Sequence, residues 1–199
     1  MLCGNLGTYC SYCENSMHEK AALQVEHVEP KSRKGSLEKR WINFLIACSP
    51  CNGHKSYKRV ILKDIHMPHR NNTYKSLVYD ELGGVHVNPT IPDKSKLNAG
   101  KLIKLLDLNN PSKQSMRQDT WKIAERKLDQ YNRKVLDIED LMELIKARGG
   151  WSIWFTVFKD HKEVRERLIK DFPGTAEKCF DEDNHYEPLD RNPGKTDPV

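Results

Sequence analysis

The stretch ACSPCNGHK, Ala47 to Lys55, sets two thiols three positions apart directly ahead of Asn-Gly-His-Lys. A Cys-x-x-Cys turn presents two sulfurs to one soft cation and makes half of a tetrahedral zinc site. The other half lies upstream in CSYC, Cys10 to Cys13, with 34 residues between the pairs. Cys10, Cys13, Cys48 and Cys51 together predict a structural Zn2+, which leaves Cys3 and Cys179 as free thiols. Without a secretory context, six cysteines point away from a disulfide framework.

At 199 residues the chain is long enough for one substantial domain or two small ones. No apolar stretch reaches the length of a membrane span and nothing resembles a signal peptide, so the expectation is a soluble cytoplasmic protein with no membrane partner. The net charge of +5 is unevenly placed: residues 1–75 carry 12 Lys/Arg against 6 Asp/Glu, and residues 76–199 carry 21 against 22. A basic N-terminal third is the footprint of a polyanion-binding face.

Four regions follow from pattern. Residues 1–60 hold the cysteine turns, residues 61–100 connect, residues 101–172 read as helical, and residues 173–199 form an acidic, Pro-containing tail whose last portion is expected to be disordered. Ala21 to Val28 reads as a short strand, Lys31 to Lys39 as a basic loop, Trp41 to Cys48 as strand or buried turn, and Cys51 to Arg59 as a short helix. Leu77 to Val87 alternates around Gly83-Gly84 and predicts a hairpin. From Pro111 to Arg148, the residues Trp121, Ala124, Leu128, Tyr131, Val135, Ile138, Met142 and Ile145 keep three-four spacing, which predicts one long helix stopped by Gly149-Gly150. Its seam is expected to pack on a second helix, Trp151 to Lys170, the alternative being a protein partner that uses part of this face.

The segment between the cysteine turns is richer than a passive loop needs to be. Glu26 and His27 end the first strand, Asn43 sits in an apolar run, and Asn52 directly follows the last cysteine. Adjacent strand residues face opposite ways unless the strand ends between them, and this one ends three residues before Pro30. Phosphodiester hydrolysis needs a base that titrates near neutrality and a hard cation on oxygen ligands. His27 supplies an imidazole; Glu26 and Asn52 supply oxygens; Asn43 is suited to fixing the loop or the ring.

The order CSYC, VEHVEPKS, WINFLIACSPCNGHK resembles the HNH nuclease superfamily, the ββα-metal or His-Me finger fold, in its zinc-stapled form. The resemblance implies an α+β protein: a ββα-metal module followed by a mostly helical region. It also implies that His27 is the general base, Glu26 and Asn52 hold a catalytic Mg2+ or Mn2+, and Asn43 is the central structural Asn. Asn52 stands where many members carry a second His, and His54 is open to three roles: replacing it, contacting phosphate, or simply being exposed. Lys31, Arg33, Lys34, Lys55 and Lys58 are candidates for the nucleic-acid backbone. The wording EHVEPKS, the downstream LDLNN and the C-terminal FPGTAEKCFD are further similar to HNH subunits of Septu-type and retron-associated anti-phage systems. That resemblance implies double-stranded DNA as substrate and a separate ABC-type ATPase as partner, since this chain has no Gly-rich Lys-Ser/Thr phosphate loop. The rival reading is a non-catalytic zinc-binding nucleic-acid or assembly subunit, which explains the cysteines and the charge but not the Glu26, His27, Asn43, Asn52 ensemble.

Overall fold

The computed structural model describes residues 2–17 and 22–191. Its centre is a hairpin with a helix across it. After a short N-terminal helix α1 (Leu2–Leu6), strand β1 (Gln24–His27) pairs antiparallel with β2 (Phe44–Ala47), placing Gln24 opposite Ala47, Glu26 opposite Leu45 and His27 opposite Phe44. The two-residue period puts Gln24 and Glu26 on one face, Val25 and His27 on the other, so the strand does not end between Glu26 and His27 as expected: His27 is still paired with Phe44. Helix α2 (Ser49–Lys55) starts one residue after β2: Cys48 precedes it in an extended conformation, and Pro50 in the first turn favours a helical φ. Ser56, at φ 49°, ends it. The helix is therefore shorter and begins earlier than the expected Cys51 to Arg59. The first strand is likewise shorter than Ala21 to Val28, with Ala21 outside the described residues.

Helix α3 (Thr73–Ser76) is capped by the Asn72 side chain, which accepts from Lys75 N at 3.2 Å, and leads into the predicted hairpin, β3 (Leu77–Tyr79) and β4 (Val85–Val87). Helix α4 (Asp93–Leu106) packs on both α2 and β4. One apolar core joins Leu45, Ile46 and Cys51 of the ββα unit to Met67, Leu77, Val85, Leu102 and Leu106, so the connecting region shares the interior of the N-terminal module.

The expected single helix from Pro111 to Arg148 is two helices, α5 (Pro111–Asn132) and α6 (Ile138–Arg148). Lys134 takes a left-handed φ of 56°, and the Asp137 carboxylate accepts from Asp140 N at 2.9 Å, starting a new helix. Periodicity alone ran through this break; the cap decides it. Val135, expected in the seam, is 69% exposed. The segment from Trp151 to Lys170 is also two helices, α7 (Trp151–Val157) and α8 (Lys162–Asp171). The rest of the seam packs within the chain: Ala124, Met142 and Ile145 join Trp154, Phe155, Phe158, Val164 and Leu168 in a second core. A short ribbon, β5 (Phe180–Asp181) with β6 (Glu187–Pro188), closes this core; Arg165 bonds His185 O at 2.6 Å and Glu187 at 2.9 Å. The tail is thus ordered through Arg191, and the portion expected to be disordered lies outside the described residues.

Glu14 joins the two halves. Its carbonyl accepts from Gly150 N at 2.8 Å, and its carboxylate accepts from Ser152 N at 2.7 Å and Ser152 Oγ at 2.6 Å, capping α7. Gly149 makes this approach achievable: at φ 77° an added Cβ would stand 2.4 Å from Glu14 O.

Candidate metal centre and active site

The two cysteine turns converge because β2 carries one to the other: Ser11 N donates to Ile46 O at 2.8 Å, next to Ala47 and Cys48. The four sulfurs lie within 4.8 Å of one another, with Cys13 Sγ and Cys48 Sγ 3.7 Å apart. Zinc–thiolate bonds of about 2.3 Å give a tetrahedron with edges of about 3.8 Å, so the cluster has the size of a structural zinc site. Sulfur–sulfur hydrogen bonding, foremost to Cys10, pushes the Cys13 and Cys51 thiols up and holds Cys48 down. Thiolates this crowded need a cation to be charged together.

Beside this staple, α2 lies across the strand end. Asn43 is 3% exposed and uses its whole amide on the loop: Nδ2 donates to Glu29 O at 3.0 Å and Leu37 O at 3.2 Å, and Oδ1 accepts from Glu29 N at 2.8 Å. It braces the loop rather than touching the imidazole. The brace still reaches His27 indirectly, because His27 Nε2 lies 3.0 Å from the carbonyl of Glu38, the residue after Leu37. A carbonyl only accepts, so Nε2 carries the hydrogen and Nδ1 is left as the basic nitrogen. Phe44 meets the ring edge-on at 5.0 Å.

Residues 10–58 match the family model described as HNH endonuclease. These residues form an HNH endonuclease domain. The match starts on the first cysteine of the cluster and spans both turns, the hairpin and the helix. It implies phosphodiester hydrolysis and a nucleic-acid substrate. A search of curated proteins finds no match.

Within this HNH domain one expected contact is relocated. Lys55, expected on the nucleic-acid backbone, is 1% exposed and points inward, its Nζ 2.5 Å from Glu26 Oε1 and 2.6 Å from His27 O. The reason is helical geometry: Lys55 lies three residues after Asn52 and so shares the helix face turned to the strand. Glu26 is 3% exposed; burial pushes its carboxyl up, opposed by Lys55. Tyr12 OH donates to the same oxygen at 3.5 Å, and burial lifts that phenol well above its ordinary range.

Asn52 is half-buried and donates to Gln24 Oε1 at 2.7 Å, so its amide meets Gln24 rather than Glu26. The oxygens a hard cation would use are nonetheless gathered on one face: Glu26, with both its contacts on Oε1, and the Asn52 and Gln24 amides. This donor set fits a divalent cation provided Lys55 yields part of its hold on Glu26. His54 turns away, 3.8 Å from Asp107 at the end of α4. Lys31, Arg33, Lys34 and Lys58 are all exposed, and Arg33 Nε donates to Tyr57 O at 3.1 Å, tying the basic loop to the end of α2.

Gln24, Tyr12 and Glu14 were not singled out from sequence. Strand alternation could have found Gln24, two positions before Glu26 on the same face. Tyr12, between two cysteines, and Glu14, just beyond them, carry no periodic signal.

Proposed function

We propose that the chain is a metal-dependent endonuclease that cuts duplex DNA, with His27 as general base and Glu26 and Asn52 as ligands of Mg2+ or Mn2+. The observation that carries this reading is the His27 ring, oriented by the Glu38 carbonyl so that Nδ1 is free to take a proton from water. Glu26 and Asn52 would hold the cation, which supplies charge neutralisation at the phosphate and leaving oxygen. Asn43 keeps the loop, and through it the ring, in place. Exposed Lys31, Arg33, Lys34 and Lys58 bind the phosphate backbone.

His27→Ala should abolish plasmid nicking in Mg2+ or Mn2+ while zinc content and duplex binding stay at wild-type levels. Wild-type cleavage by that variant would refute the assignment. One observation favours the rival, a non-catalytic nucleic-acid-binding subunit: the Lys55 ammonium already neutralises the carboxylate meant for the cation. Absence of Mn2+ binding at Glu26, read by electron paramagnetic resonance in wild type and Glu26→Gln, would decide for it. A role beside a separate ABC-type ATPase in anti-phage defence rests on the resemblance in EHVEPKS, LDLNN and FPGTAEKCFD; its test is co-purification with the ATPase and restored cleavage in its presence.

A further inference from the structure

The face of the hairpin that carries His27 is apolar at its edge. Trp41 is 40% exposed, Ile42 49% and Val25 58%. Trp41 is not remote from the base: its ring meets Phe44 edge-on at 6.4 Å, and Phe44 meets His27 at 5.0 Å. The indole therefore lies within about 11 Å of the imidazole. That is roughly three nucleotide steps of duplex.

The surroundings say what this patch meets. Lys31, Arg33, Lys34, Lys39 and Arg40 are all exposed, and Glu38 is the one acid from residue 31 to 41. The apolar centres of protein interfaces are depleted of charge and of lysine in particular. An aromatic set in a cationic rim instead matches a polyanion with flat apolar faces, a nucleic acid whose bases have left the stack.

We propose that Trp41, with Ile42 beside it, is an unstacking wedge: it stacks on a base displaced from the duplex within about three steps of the phosphodiester presented to His27. This rests on the nuclease reading and adds a substrate preference to it. Opening a step costs least where pairing is already broken, so duplexes with a mismatch, a bulge or a flexible pyrimidine–purine step are favoured over uniformly paired ones.

The test uses the full zinc-loaded chain, without added Mg2+ or Mn2+, and a duplex with 2-aminopurine next to a mismatch, where it brightens when the mismatched base leaves the stack. Wild type should raise the 2-aminopurine fluorescence on binding and bind the mismatched duplex about tenfold tighter than its paired counterpart. Trp41→Ala should lose both the rise and the preference. Trp41→Phe, which retains a ring against Phe44, should lose about threefold, because a phenyl overlaps less of a base than an indole. The salt dependence of binding should be the same in all three, since the phosphate contacts are untouched. Zinc content and far-ultraviolet circular dichroism report folding of each variant, and the graded loss in Trp41→Phe keeps the test decisive if Trp41→Ala misfolds. Unchanged binding and fluorescence in the variants overturns the wedge and leaves the nuclease reading standing. A wild type that binds none of these duplexes and, in a separate assay with Mg2+ or Mn2+ and the ATPase supplied, cuts no nucleic acid overturns both.

Discussion

Replacing Lys55 with Met tests the ion pair beneath the candidate active site. Met keeps the length and apolar stem of the side chain and removes the ammonium. Among the described residues, Glu26, 3% exposed, would be left with the Tyr12 hydroxyl at 3.5 Å as its side-chain hydrogen-bond partner. Breaking a buried pair by removing one partner costs about 3–5 kcal/mol, most of it the uncompensated charge. For a chain of this length about 2–4 °C accompanies each kcal/mol, so the unfolding midpoint should fall by roughly 10 °C. Glu26→Gln together with Lys55→Met removes both charges and should recover more than half of that drop, a coupling read directly by a double-mutant cycle. Millimolar Mg2+ should raise the midpoint of Lys55→Met more than that of wild type, because the cation takes over the neutralising role. The pH dependence has a definite sign. Burial already holds the Glu26 carboxyl above its ordinary range, and without Lys55 it goes higher. A carboxyl raised in the folded state costs stability once it ionises, so the deficit of the variant is full at pH 8 and narrows as pH falls towards the raised value. Circular dichroism melts from pH 8 to pH 6, with zinc content checked at each point, measure all of this. A drop below about 2 °C, unaffected by the second substitution, would refute the idea that this pair holds the strand end.

Three further outcomes follow from the packing. Cys48→Ser should lower zinc content and, through Glu14, loosen the start of α7; hydrogen exchange at the Ile153 and Trp154 amides, which donate to Gly150 O, should speed up well before global unfolding. Gly149→Ala places a methyl 2.4 Å from Glu14 O at a left-handed φ of 77° and should cost about 2–4 kcal/mol in urea denaturation. Arg165→Met releases the β5–β6 ribbon from α8 and should make residues 180–188 the first site of limited proteolysis, with cleavage of plasmid unchanged.

The four-cysteine cluster and the order of strand, strand and helix were legible because each rests on spacing: thiols three apart, alternation in QVEH, a polar helical stretch after the second cysteine turn. The hairpin at Leu77 to Val87 was legible for the same reason. The break between α5 and α6 was not, because the apolar seam keeps its period through residues 133–137 while the decisive contact is a local one, the Asp137 carboxylate on Asp140 N. Lys55 was misread for a different reason. A lysine in a basic stretch is usually solvated, and its inward turn depends on the buried carboxylate one strand away, at Glu26. Asn52 shows the same limit: its place on α2 was readable, its hydrogen bond to Gln24 was not.

The amide of Asn43 bears on how such a protein diversifies. By holding Glu29 at one end and Leu37 at the other, it closes residues 30–36 into a ring whose far end, where Gly35 O accepts from Glu38 N at 3.0 Å, carries the carbonyl that orients His27. Lys31, Ser32, Arg33, Lys34, Gly35 and Ser36 are all exposed. The side chains at positions 31–34 can therefore change charge without touching the Asn43 knot or the Gly35–Glu38 turn, which separates what meets the outside from what holds the ring.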